Sequence, residues 1–396
     1  MSSTDGLRVP AFPFDSPLAS KAVALERLRG DLPRATSHLP VLSELAGLYR
    51  LMSSIVSARI EGNHTTVADA IEGARLREAQ PRLPLDDSIQ EILRLEDAAE
   101  FIDAHIHPGT TLSHSLIREL HRLATHDLER EGDRSPGEYR SREVSISGSA
   151  HVPPLASTVH PLMTDLLDFA NADSSPHMHL VRMAIAHHRF VWIHPFTNGN
   201  GRVARLFSYA MIRTNGFAPD VDYQTVNPTT VFGADRQRYY DRLAAADTLD
   251  DDALVEWVDF VLGGLLHDLE TLHRVALGDE LRILVASSID RARRSAQLTD
   301  SEAAALTMVA DGIPFKSADL EGAFGTDASG RSRAIGSLLD RQLISRVRPG
   351  GRIYRIRLSP NTLTPFVFAE LDAKGLLPTI IREDVPPPQR PFNAPA

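Results

Sequence analysis

Apolar positions along this chain recur mostly at intervals of three and four, the spacing of one helix face. Val41, Leu42, Leu45, Leu48, Tyr49, Met52, Ile55 and Val56 make one such stripe, which predicts a helix closed by Gly62. Residues 65 to 130 continue as helices, broken around Pro81 to Pro84 and His107 to Thr111; Ile117, Leu120, Leu123 and Leu128 predict the first helix of a central core. Residues 166–170 and 181–193 predict two more. Val203, Leu206, Phe207, Ala210 and Met211 repeat until Asn215-Gly216 supplies a C-cap, a helix of roughly four turns. Helical spacing returns over 238–246 and 254–265 and runs on to about Arg294. Residues 1–36 read as extended chain wrapped on a larger body, and 221–232 as irregular.

Two stretches break the helical period. Val144-Ser145-Ile146 alternates, turns at Gly148-Ser149 and returns through Ala150-His151-Val152 to Pro153-Pro154, which predicts a short hairpin. From Thr299 the pattern gives helices over 303–309, 317–324 and 331–342. Ile344 to Arg348 and Arg352 to Ile356 then flank Pro349-Gly350-Gly351, so three helices and a hairpin predict a winged helix-turn-helix-like module. Pro386-Pro387-Pro388 and Pro391 mark 378–396 as a disordered tail. The expected class is mainly α. The expected organisation is an N-terminal helical region over 1–110, a core over 111–268, a connecting helix over 269–294, the winged-helix-like module over 295–360 and a tail over 361–396.

Composition changes this picture at three points. The 396 residues carry a net charge of -10, which argues against bulk electrostatic binding to nucleic acid or anionic membrane. Against that background the stretch 330–357 holds eight arginines (331, 333, 341, 346, 348, 352, 355 and 357) and one acid, Asp340, a local excess of seven positive charges. Such a patch suits phosphate backbones, and equally a protein interface. There is no cysteine, which excludes disulfides, thiol catalysis and thiolate metal sites. No leader pattern and no apolar run near eighteen residues is present, so a cytoplasmic protein with no membrane contact is expected.

The chemistry concentrates in His194-Pro-Phe-Thr-Asn-Gly-Asn-Gly-Arg-Val-Ala-Arg205. The residue before a proline is pushed out of the αR region, so the 181–193 helix stops and His194 sits on a loop. Gly199-Asn200-Gly201 can turn three backbone N–H groups toward one anion, at the positive end of the helix that follows. Arg202 and Arg205, three apart, can reach phosphoryl oxygens beside it. Asn198 is the remaining polar side chain of the turn. Glu61, in the last turn of its helix, faces the negative end of the dipole and wants a cation. His187 and His188 lack metal-ligand spacing to His194.

This stretch resembles the signature of the Fic family, His-x-Phe-x-Asp/Glu-Gly-Asn-Gly-Arg-x-x-Arg, at every fixed position except Asn198. The resemblance implies a Fic-type helical core and transfer of AMP from ATP, with Mg2+, to a Ser, Thr or Tyr hydroxyl of a target protein or of the chain itself. It implies that His194 is the base and that Gly199, Asn200, Gly201, Arg202 and Arg205 hold the phosphates. The family's acid at position 198 holds Mg2+, and an amide is a poorer ligand for that hard cation. Ser57-Ala58-Arg59-Ile60-Glu61-Gly62 resembles the family's inhibitory motif, which implies that Glu61 pairs with Arg205 and blocks the γ-phosphate. Val144, Ser145 and Ile146 match the flap that docks the target, and Tyr239, Tyr240 and Asp247 fall where the family lines its nucleobase pocket. His187 reads as a core hydrogen-bonding residue. A rival expectation is a DNA-binding regulator whose core binds nucleotide without efficient catalysis; a homodimer and DNA or protein contact through the C-terminal module stay open.

Overall fold

In a computed structural model of the chain, residues 7–36, 41–217, 227–276 and 280–382 are placed. The architecture is helical: α1 (Pro17–Thr36), α2 (Val41–Ile60), α3 (Val67–Ala79), α4 (Asp87–His105), α5 (His114–Thr125), α6 (Val159–Asn171), α7 (His179–Ile193), α8 (Asn200–Thr214), α9 (Thr229–Ala234), α10 (Arg236–Ala246), α11 (Asp251–Ala276) and α12 (Glu280–Arg294). There follow α13 (Asp300–Met308), α14 (Glu321–Phe324), α15 (Ala328–Asp340), the strands β1 (Ile344–Arg346) and β2 (Tyr354–Ile356), then α16 (Thr364–Ala373) and α17 (Thr379–Arg382).

The centre is the antiparallel pair α7 and α8, with α6 and α11 against α7 and α4 and α5 against α8. Ten of the residues in α7 between Leu180 and Phe190 have less than a tenth of their surface exposed, and α8 is covered over most of its length, its buried polar side chains Asn200, Arg202, Arg205, Ser208 and Arg213 included. Trp257 on α11 donates its indole N–H to the Ala184 carbonyl at 2.7 Å, so the largest core side chain is also polar-satisfied. Helix α2 packs on α4 and α9. The ion cluster of Arg50 (3.1 Å), Tyr209 (2.5 Å) and Arg213 on the buried Asp103 ties it to α4 and α8.

Three expectations change. Residues 17–36 form helix α1, because Leu18, Ala22, Leu25 and Leu28 make a narrow stripe that is buried on α11; Lys21 adds an ion pair with Asp259 at 2.6 Å. Within the irregular stretch, 229–234 is helix α9, and 218–226 lie outside the described residues. The tail over 361–396 is also revised: Phe366, Val367, Phe368 and Leu371 of α16 are buried against α12, and α17 rests on α2 and α9, while 383–396 lie outside the described residues. Apolar residues placed on one face this densely cannot stay in water.

The C-terminal module has the expected three helical pieces and hairpin. β1 and β2 pair antiparallel in the register Ile344↔Ile356, Ser345↔Arg355 and Arg346↔Tyr354, and Phe315 adds a bridge to Tyr354 with both N–H···O bonds at 2.8 Å. Among the described residues no helix is long and apolar enough to cross a membrane.

Packing at the α9–α11 crossing gives a test. A methyl at Gly264 would overlap Val231 Cγ1, whereas one at Gly263 would meet only the end of Lys21, at 3.6 Å. Gly264→Ala should therefore destabilise the chain by about 1–3 kcal/mol through overpacking. Gly263→Ala should be neutral or stabilise by about 0.5–1 kcal/mol through helix propensity. Thermal melts of the two variants check the pair, and equal melting temperatures would contradict this packing.

Candidate active site

The site begins where α7 ends. His194 is the C-cap of α7 with φ 52°, left-handed, and its N–H bonds to the Phe190 carbonyl at 3.0 Å. Pro195 excludes αR for His194, and this conformation, worth about 1–2 kcal/mol against an L residue, must be held by neighbours. Arg140 holds it. Its Nε donates to the His194 carbonyl at 2.8 Å and its Nη2 to the Pro154 carbonyl at 2.6 Å, while its own N–H bonds to the Pro195 carbonyl at 2.9 Å. Burial pushes the His194 imidazole down to about 4; the Val191 carbonyl and Glu61 oppose the fall, and Arg140 and His151 add to it. The ring is a neutral proton acceptor at neutral pH.

The turn after it is stapled from inside. Asn200 Oδ1 accepts the Phe196 N–H at 2.8 Å and its Nδ2 donates to the Phe196 carbonyl at 2.9 Å, so this side chain shapes the loop and keeps one amide N–H beyond that pair. Asn198 Nδ2 donates to the Gly132 carbonyl at 3.1 Å and its Oδ1 accepts the Gly199 N–H at 2.7 Å. That removes Gly199 from the expected trio of free amides. The first-turn N–H groups of α8 after Gly199, whose φ is 73°, have no intrahelical acceptor and no side-chain cap. His121 braces the loop by stacking on Phe196 at 3.7 Å; its Nδ1 accepts the Gly137 N–H and its Nε2 donates to the Asn198 carbonyl at 3.1 Å.

Over that helix end lies Glu61. The end of α2 is a Schellman cap: Asn63 N–H bonds to the Ala58 carbonyl, Gly62 N–H to the Arg59 carbonyl, and Gly62 has φ 100°. This aims Glu61 Oε1 at Arg205 Nη2, 2.7 Å away, and so close above Gly201 that any side chain there would collide with it. Arg205, 1% exposed, also donates through Nε to Ser57 Oγ at 2.8 Å and through Nη2 to the Ser57 carbonyl at 3.0 Å, so Ser57 of the motif has a physical role. Burial would lift the Glu61 carboxyl, but Arg205, with Arg202 and Arg236, holds it below the usual range.

Arg202 departs from expectation. It is equally buried and pairs with Glu91 Oε1 of α4 at 3.3 Å and with the Glu131 carbonyl at 2.6 Å, so two of its nitrogens are engaged by protein groups. Nη1 of Arg205 and Nε of Arg202 are buried without a hydrogen-bond partner. Unmet guanidinium donors, a side-chain-free Gly201 and an uncapped helix N-terminus fit an anion such as a phosphate where Glu61 now lies. A protein-held Mg2+ does not fit: both ends of the Asn198 amide are engaged, and among the described residues no group of three His, Asp or Glu could hold a metal.

With this geometry in view, comparison with known proteins is specific. Residues 111–212 match the Fic/DOC family. Over that segment the chain is similar to Fic/DOC proteins. It is similar to the protein adenylyltransferase Fic of Drosophila willistoni, 30% identical over 204 residues, covering 51% of this chain and 38% of that one. It is 27% identical over 266 residues to the protein of the same name from Drosophila melanogaster, covering 67% of this chain and 51% of that one. The chain thus spans about two fifths to half the length of these relatives. A crystal structure of a Fic family protein from Desulfovibrio desulfuricans G20 superposes with a TM-score of 0.53 at 23% identity, covering 88% of this chain and 98% of that one, which shows the shared fold.

Against the Fic pattern the remaining positions sort as follows. Tyr239 is not available to a base: it is buried and its hydroxyl pairs with His187 Nε2 at 3.0 Å, while His187 Nδ1 pairs with Ser208 Oγ at 2.8 Å, a core network. Tyr240 is partly exposed, with Arg236 over its ring at 5.4 Å, and bonds the Ile60 carbonyl at 3.2 Å, beside Glu61. Asp247 lies 3.0 Å from His188 Nε2. At the flap, Val144, Ser145 and Ile146 turn at Gly148, with Ser149 N–H on the Ile146 carbonyl at 3.2 Å, but no strand ladder forms. Glu91, Arg140, His121 and Asp133 (3.1 Å from the Asn198 N–H) act at the site without a local sequence pattern that marks them.

The half-buried His194 makes a prediction about pH. Because burial disfavours its charged form, protonation costs stability, and the stability held above about pH 6.5 is lost as pH falls toward 4. An NMR titration of His194 should give a midpoint near 4; one at 6.5 or higher would mean that the ring is solvated.

Proposed function

We propose that this chain is a protein adenylyltransferase held inactive by its own Glu61. The observation that carries the reading is the Glu61–Arg205 pair at 2.7 Å, set above Gly201 at the start of α8. The relatives' name, protein adenylyltransferase, supports the choice of ATP as donor. The target hydroxyl oxygen attacks the α-phosphorus, the neutral His194 imidazole takes its proton, and the bond to pyrophosphate breaks. The free first-turn N–H groups of α8 and Arg205 meet the charge that develops on the phosphate chain. Magnesium belongs to this reading only as a companion of the nucleotide's own phosphates, since Asn198 staples the turn. The segment 144–155, with Val152 and Leu155 exposed, is the docking place this reading assigns to the target, a protein bearing Ser, Thr or Tyr, or the chain itself. A cytoplasmic setting goes with it.

The C-terminal module, read as a winged helix, supports a second role in binding nucleic acid, though on a smaller patch than the sequence suggests. Arg331 pairs with Glu321, Arg341 with Glu302, Arg355 with Glu44 and Arg357 with Glu78, which neutralises half of the eight arginines. Arg333, Arg348 and Arg352 stay exposed without an ion pair among the described residues. A gel shift at low salt with the full chain tests this role.

For the main reading, Glu61→Gly should raise labelling from ATP carrying label on the α-phosphate at least about tenfold, equivalent to about 1.4 kcal/mol at the transition state. His194→Ala in that background should abolish it. Wild-type labelling by a folded Glu61→Gly chain would remove Glu61 as an inhibitor.

A further inference from the structure

The signature helix is tied to the inhibitory turn twice, and only one tie is the Glu61–Arg205 pair. The other runs through Glu91 on α4, a carboxylate that is 3% exposed. One of its oxygens, Oε1, faces Arg202 Nη1 at 3.3 Å; the other, Oε2, accepts from Asn63 Nδ2 at 2.7 Å. Asn63 is two residues beyond Glu61 and is the last residue of the Schellman cap that aims it. The same amide nitrogen donates to the Ser88 carbonyl at 2.8 Å, and Asn63 Oδ1 accepts the Thr65 N–H at 2.8 Å, so the side chain is fixed in one orientation.

We propose that Glu91 is a positioning residue for inhibition: by bridging Asn63 and Arg202 it fixes the cap from which Glu61 reaches Arg205. This rests on the adenylyltransferase reading. A helix end frays within its last turn unless its cap is held. Glu61 itself, 28% exposed, makes one ion contact and cannot fix that cap alone. The bridge couples the two arginines, because Arg202 and Arg205 lie one turn apart on α8 while Asn63 and Glu61 lie within one cap. Loss of the Glu91 charge leaves Arg202 with the Glu131 carbonyl at 2.6 Å and lets the cap move away from Gly201.

Glu91→Gln tests this with little change in shape, because glutamine offers one acceptor oxygen where two donors compete. In the full-length chain it should increase labelling by about three- to tenfold and speed amide exchange at Gly62 to Thr65. Asn63→Ala, which leaves the Glu91–Arg202 pair in place, should act in the same direction. Combined with Glu61→Gly, Glu91→Gln should add nothing, since there is no carboxylate left to aim. Labelling and exchange at wild-type levels in both single variants would overturn the proposal. So would a Glu91→Gln effect that multiplies with Glu61→Gly, which would place Glu91 on the nucleotide and not on the cap. Should Glu61→Gly itself fail to raise labelling, the adenylyltransferase reading falls, while the exchange rates at Gly62 to Thr65 still decide whether Glu91 holds the cap.

Discussion

A guanidinium with 1% of its surface exposed needs an anion, and that need organises this molecule. Leaving a buried charge unpaired costs several kcal/mol, so Arg205 cannot be left empty-handed at the head of α8. In the present state Glu61 answers it; a phosphate would answer it in another. On the proposed reading the two anions would meet the same donor over the same glycine, so that one excludes the other. What the chain does is then a matter of which anion is held more tightly.

The surroundings favour the carboxylate by holding its helix end. The Ile60 carbonyl accepts from Arg236 Nε at 2.7 Å and from the Tyr240 hydroxyl at 3.2 Å, both on α10. Arg59 reaches past α2 to the Ile380 carbonyl at 2.7 Å, and Arg355 of the hairpin pairs with Glu44 at 3.1 Å at the other end of the same helix. The hairpin is therefore fastened to the first part of α2 and α17 to its last turn. Arg355 is thus taken from any outside phosphate, as Arg331, Arg341 and Arg357 are by Glu321, Glu302 and Glu78, which is why a stretch with seven excess positive charges presents so few free ones.

The helices of the core were legible because their periodicity and punctuation agreed: Gly62, Pro195, Gly199 and Gly216 end or begin elements where the pattern says they should. The site was legible where its chemistry is local, at His194, Arg205 and Glu61. It was not legible where a side chain's partner is distant in sequence. Asn200 and Asn198 carry the right atoms for an anion or a cation, yet they turn inward to Phe196, Gly132 and Gly199, and Arg202 is claimed by Glu91 from 111 residues away. Helix α1 escaped notice because its apolar stripe is one residue wide, and its meaning depends on the groove of α11. The expected flap hairpin keeps its turn, with Ser149 N–H on the Ile146 carbonyl, but forms no ladder.

The central claim is that Glu61 occupies the place of a phosphate. A crystal structure of the Glu61→Gly chain with a non-hydrolysable ATP analogue tests it most directly. The account predicts a phosphate above Gly201, bonded to the first N–H groups of α8 and to Arg205 Nη1, with His194 facing the α-phosphorus. An analogue bound elsewhere, with the space above Gly201 filled by water or by another side chain, would contradict it.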